Sequence, residues 1–254
     1  MKISTLITLS AFITATLSAE VKVSVSEISD KRTTGKFFSG LELQLKFAGP
    51  EIVEAKGMRV VIEKATDDTG KDLEKPENSF YDEKDFQEIQ RNNFGFSSEE
   101  KDAKDITTFK LDFANPPRAA KSIKSLSGNM ELLIPKNDPA SIISASVAKD
   151  KGKPLENTAL KAAGVEITLK DVVGNDISYT IADPKGAVAS VEFVGKDGAE
   201  LKTNGRMTSG GSGSKSVSIS FQDAPPADAV VRIYLVTEKS LVKVPIKLVD
   251  VALP

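Results

Sequence analysis

Residues 41–47 read Leu41-Glu42-Leu43-Gln44-Leu45-Lys46-Phe47. Large apolar side chains take every second position and polar ones fill the gaps. In an extended chain successive side chains point to opposite faces, so Leu41, Leu43, Leu45 and Phe47 share one face and Glu42, Gln44 and Lys46 the other. Wound as a helix, the same residues would spread the apolar groups around the whole circumference. The stretch predicts a strand with one buried face and one solvated face.

The same period extends in both directions. Val21, Val23 and Val25 show it, as do Val60 and Ile62, then Phe109, Leu111 and Phe113, then Met130, Leu132 and Ile134. Turn chemistry separates these runs: Ala48-Gly49-Pro50, Asp67-Asp68-Thr69-Gly70, Asn115-Pro116-Pro117, Ser127-Gly128-Asn129 and Asn137-Asp138-Pro139. The second half predicts strands at 165–170, 177–181, 187–194, 215–221, 229–236 and 241–249. Pro245 lies inside the last of these. It has no N–H to give to a ladder, so that strand is expected at a sheet edge or bulged.

Short strands without helical crossovers predict an antiparallel, all-β architecture. A charged, Gly/Pro-containing segment, Lys149-Asp150-Lys151-Gly152-Lys153-Pro154, interrupts the alternation and marks a boundary. The expected organisation is two tandem antiparallel β-sandwich domains of immunoglobulin-like kind. They cover 20–150, with an acidic insertion at 67–105, and 165–254. Residues 151–164 form a connector, helical or extended, docked through Leu160 and Ala163. One larger, elaborated sandwich is the rival arrangement. The strand count and spacing resemble those of exported bacterial immunoglobulin-like sandwich modules. The chain lacks the Cys…Trp…Cys hallmark of antibody domains, and the resemblance implies a fold rather than a function.

Residues 1–19 carry an address. Lys2 supplies a positive charge, 3–17 are uncharged and largely apolar, and Ser18-Ala19 are small. This is the layout of an export signal peptide, too short and too rich in Ser and Thr for a span of about 20 apolar residues. The expected location is periplasmic or extracellular. No later stretch approaches membrane length.

Composition narrows the chemistry. With 28 % charged and 40 % hydrophobic residues the chain is globular rather than disordered. Its net charge of −2 gathers no phosphates, so nucleic acid is not an expected partner. There is no Cys and no His. Disulfides, thiolate metal sites, Ser-His-Asp triads and histidine pH switching are thereby excluded. Absence of Trp removes the usual stacking platform for sugars.

The remaining motifs are weak. Gly210-Gly211-Ser212-Gly213-Ser214-Lys215-Ser216 has glycines before a lysine, but Ser214 intervenes and a strand is expected where a P-loop needs a helix. Ser212-x-x-Lys215 and Ser98-x-x-Lys101 match S-x-x-K without the companion S-D-N and K-T-G elements. Asp67, Asp68, Asp72 and Glu74 form a dense carboxylate cluster, read as a solvated acidic turn, with Ca²⁺ binding or paired-carboxylate hydrolysis as the other uses of such groups. Arg118, Lys121 and Lys124 recur every third residue and are read as the solvated side of a short segment. Residues 67–105 hold thirteen acidic and six basic side chains, with a brief helix expected over 82–91 through Phe86 and Ile89. The Gly/Ser-rich stretch 205–214 is expected as a flexible hairpin tip.

The leading expectation is an exported, non-catalytic protein with a structural or binding role. Its partner would be another protein or an envelope polymer, met through 67–105 and 205–214. No catalytic residue and no cofactor is assigned, and metal binding is left open. Two other classes stay open: a carboxylate-dependent hydrolase of an extracellular polymer, and a carbohydrate- or calcium-binding module.

Overall fold

Leu41, Leu43, Leu45 and Phe47 are at most 1 % exposed, while the polar residues between them stay partly solvated. The computed structural model that shows this describes residues 21–33, 39–76, 85–87, 89, 105–211 and 213–254. Residues 1–19 and most of 67–105 therefore lie outside the described residues.

The first strands are β1 (Lys22–Lys31), β2 (Gly40–Ala48), β3 (Gly57–Asp67), β4 (Ile106–Phe113) and β5 (Ser122–Leu133). Then follow β6 (Ile142–Ser146), β7 (Glu166–Val173), β8 (Asp176–Ala182), β9 (Val188–Val194), β10 (Thr203–Gly211), β11 (Ser214–Phe221), β12 (Val230–Leu235) and β13 (Leu241–Ala252). Among the described residues there are also three short α-helices, α1 (Glu51–Glu54), α2 (Val147–Asp150) and α3 (Thr158–Ala163), and two 3-10 turns, Pro135–Asn137 and Pro139–Ser141. The fold is all-β and sandwich-like, and every named strand pairing is antiparallel.

Among the described residues, four sheets enclose two main cores. Sheets β1-β2-β4 and β13-β5-β3 cover the first, built on Leu43, Leu45, Phe47, Val60, Met130, Leu132 and Ile246. Sheets β10-β11-β8-β7 and β6-β12-β9 cover the second, built on Ile167, Ile177, Tyr179, Phe193, Phe221 and Ile233. Three rings anchor the second core. Phe193 lies 5.8 Å from Tyr179 and 5.7 Å, edge to face, from Phe221.

Chain order and sheet membership separate at two places. Strand β6, ahead of the expected boundary at 149–154, pairs with β12 of the second unit. Strand β13, expected in the second set, pairs with β5 from Leu241 opposite Leu133 to Ala252 opposite Ser122. Its Val244 and Ile246 join the first core. The second unit thus sits between β5 and β13 instead of following the first in tandem. Alternation along β13 says that one face is buried but not against which core. The return crossing decides that.

Two local readings also change. Ser127-Gly128-Asn129 was expected as a turn and instead lies inside β5. A Cβ on Gly128 would come within 2.2 Å of the Val61 carbonyl oxygen, so glycine is there for close strand approach beside a bulge in β3. The stretch 205–214, expected as a flexible tip, is paired strand over most of its length: β10 meets β11 through to Gly211 opposite Ser214. Gly210 and Gly213, at φ 116° and 86°, supply the backbone freedom for that end of the hairpin.

Other expectations hold. Pro245 lies in an edge strand. The connector contains α3, capped by the Asn157 side chain, which accepts from the N–H groups of Ala159 and Leu160, and ended by Gly164 at φ 74°. Leu160 docks it into the second core. Among the described residues, no helix is long and apolar enough to cross a membrane.

Candidate functional site

The acidic turn does not gather its carboxylates. Asp67 is 1 % exposed and points inward, and its Oδ1 accepts from Thr69 N, Thr69 Oγ1 and Lys71 N at 2.8, 2.7 and 3.0 Å. Burial pushes its pKa up. Hydrogen bonds from Thr69 and Lys71, with the Lys71 charge, outweigh that and leave it below the ordinary carboxylate value. Asp68 turns elsewhere and accepts from Lys121 N at 3.0 Å. Residues Asp72 and Glu74 engage Thr66 and Ala114 through their main chains. Among the described residues, no group of three or more Asp and Glu side chains is placed to hold a metal ion.

Other motifs resolve simply. Gly210 and Gly211 end β10, and Lys215-Ser216 lie in β11, so a strand follows the glycines. Ser98, Lys101 and Ser212 lie outside the described residues. Lys124 pairs with Asp250 at 2.7 Å on the surface. One pair of carboxylates does face across a ladder: Glu42 lies opposite Asp112. Burial and the Glu42 charge raise the Asp112 pKa, with Lys110 opposing. Neither of these carboxylates lines the cavity described next.

The structure instead draws attention to the seam between the two units. Lys56 Nζ reaches from the first unit to Glu192 Oε2 in β9 at 2.6 Å. Tyr234 OH donates to the other oxygen of Glu192, and Arg232 lies 3.7 Å away. Burial first, then the bond and charge of Glu192, pushes the Tyr234 phenol well above its ordinary value, so it stays a donor. Leu133, Ala189 and Tyr234 form a small apolar cluster here, joined by Phe86.

Beside this seam lies a cavity of about 290 Å³. Its walls come from β8 (Ile181), β9 (Val188–Val191), β10 (Arg206, Thr208) and β11 (Lys215, Val217), with Phe86 at the junction side. Two sheet edges, β9 and β10, bound it. The β8–β9 turn is held by Asp183, which accepts from Ala187 N and Val188 N at 2.9 and 2.7 Å. Cross-strand register explains the cations. Arg206 lies opposite buried Ile219 and Thr208 opposite buried Val217, which puts both on the core-facing side of the sheet. Arg206 donates to the Tyr179 hydroxyl at 2.9 Å. Arg206 stays exposed as a whole residue, yet partial desolvation of its guanidinium lowers its pKa, while burial raises that of the Tyr179 phenol, leaving the arginine charged and the tyrosine neutral at physiological pH. An apolar cavity with a few converging polar groups is the usual form of a ligand site.

A short acidic segment lies against this cavity. Asp85 Oδ2 accepts from Lys215 Nζ at 2.5 Å. The Arg59 guanidinium sits 4.6 Å from the Phe86 ring centroid. Gln87 exchanges two main-chain hydrogen bonds with Met58, at 2.7 and 2.9 Å. The helix expected over 82–91 falls mostly outside the described residues. Within them Gln87 is an isolated antiparallel bridge.

Sequence reasoning singled out the regions that hold Asp85, Phe86 and Arg206 but not these residues as a constellation. One signal was present: Arg206 is the single charged residue between Lys202 and Lys215. No protein-family model matches this chain, and no curated protein is significantly similar to it in sequence.

Proposed function

We propose that this is an exported, non-catalytic binding protein whose ligand-contacting surface is the cavity between β9 and β10. One observation carries this reading: Arg206 and Lys215 line a cavity together with Ile181, Val188, Val191 and Val217, with Ser190 and Thr208 adding hydroxyls. Cations over an apolar surface suit recognition by charge plus burial. The two sandwich-like units are read as immunoglobulin-like, with the second set into the first, and residues 1–19 as the cleaved export signal.

The test uses the mature chain as bait on an extract of its own cell envelope. Wild type should retain a partner that the Arg206→Glu plus Lys215→Glu variant loses, with unchanged circular dichroism. Retention that ignores both substitutions removes the cavity from consideration. Intact mass of the protein recovered from its host should place the mature N-terminus at Glu20 or within a residue or two; a retained Met1 would end the export reading.

A further inference from the structure

We propose that the groove beside this cavity, running from Lys215 to the β3 edge at Met58, recognises an extended peptide segment of a partner protein carrying an acidic residue followed directly by an aromatic one, and that Asp85-Phe86-Gln87 occupies this groove in cis. The inference rests on the binding reading above and names its ligand class.

The argument starts from what the chain itself places there. The three residues make three different kinds of contact. Asp85 gives a carboxylate to Lys215 of the second unit at 2.5 Å. Phe86 packs into the junction cluster beneath the Arg59 guanidinium. Gln87 adds to β3 by a two-bond main-chain bridge at Met58. Those are the elements of strand-addition recognition: main-chain bonds for affinity, a charge and a side-chain pocket for specificity.

Charge complementarity selects the sign of the occupant. Lys215 and Arg206 are the cations on the wall, and Asp85 is the carboxylate paired to Lys215. A second, smaller cavity of about 50 Å³ continues past Asp85 along Ile181, Asp183 and Gly213. An incoming segment longer than the resident three residues would follow it. The ion pair that holds the acidic end of the resident segment is partly solvated: Asp85 and Lys215 side chains remain 35 % and 33 % exposed. Such an exposed ion pair adds little holding force. The segment is thus suited to exchange with a competitor of the same chemistry.

A tethered occupant weakens a free one by mass action. With an effective concentration of about 1 mM and a peptide affinity of about 100 μM, the loss is about ten-fold. The experiment measures fluorescence anisotropy of a labelled peptide, Lys-Asp-Phe-Gln-Glu-Ile, on the full mature chain. Asp85→Ala plus Phe86→Ala should bind it about ten-fold more tightly than wild type. Adding Lys215→Glu should abolish the gain, and a peptide with Lys in place of Asp should not bind. Equal affinity in wild type and double variant, or binding indifferent to Lys215→Glu, overturns the proposal. Should the double variant lose its native dichroism, Asp85→Asn keeps the Phe86 packing; a gain of about three-fold supports the proposal and no gain overturns it. Peptide failure with partner capture still dependent on Lys215 overturns the ligand class alone. Failure of both removes the binding reading as well.

Discussion

Asp67 shows how a residue can look functional and be architectural. Its carboxylate closes the turn after β3 by accepting three hydrogen bonds. Asp67→Ala should cost about 1–3 kcal/mol, the range for stranding buried donors. The pH dependence has a defined sign. The folded pKa lies below the unfolded one, so the contribution is present above about pH 4 and fades as pH falls through the folded value. Urea denaturation of wild type and Asp67→Ala should differ fully at pH 7 and converge towards pH 3; a constant difference would contradict the assignment. Gly128 makes a similar point through space rather than charge. Gly128→Ala forces a Cβ towards the Val61 carbonyl and should cost about 1–3 kcal/mol or more. Gly205→Ala, where the added Cβ meets nothing within 4 Å, should stay within about 0.5 kcal/mol in the same melting experiment.

At the scale of elements, β13 is the informative strand. Among the described residues it pairs only with β5, and it delivers Val244 and Ile246 to the first core. Each such side chain stabilises by about 1.5–3 kcal/mol when buried. Deleting 241–254 therefore removes about 3–6 kcal/mol, comparable to the whole net stability of a small unit. Hydrogen exchange should lose protection in β2, β4 and β5 while β8, β11 and β12 keep theirs. A tandem arrangement would show the reverse pattern, so the experiment separates the two. Strand β10 differs in kind: all of its residues are exposed, and its place in the fold comes from pairing with β11. A Ser/Thr/Gly-rich sequence carries little hydrophobic period, which is why β10 was not legible as a strand while β2 and β11 were.

Across the whole molecule, the chain passes from the first unit to the second after β5 and returns before β13. The two crossings touch: Ile134 N donates to Ser240 O at 2.7 Å, and Thr237 Oγ1 donates to Asp138 Oδ2 at 2.7 Å. A single proteolytic cut within 149–154 should therefore leave two fragments that co-elute on a sizing column under native conditions. Between the units, Glu192 is the buried acceptor shared by Lys56 and Tyr234. Glu192→Ala removes the partner of both and should cost about 1–3 kcal/mol, read as a lower melting temperature. Glu192→Gln, which keeps an acceptor, should recover part of it.

Alternation, turn residues and the missing Cys and His were readable along the chain because they depend only on neighbours in sequence. They determined the all-β class, most strand positions, the edge character of the proline-bearing strand and the chemistries excluded. Which sheet claims β6 and β13 was decided in three dimensions, because a period of two is silent about the partner. The same holds for the cavity. Asp85, Arg206 and Lys215 are unremarkable charges in the linear chain, and only the packing of two sheet edges against the junction brings Arg206 and Lys215 to one wall and Asp85 against Lys215.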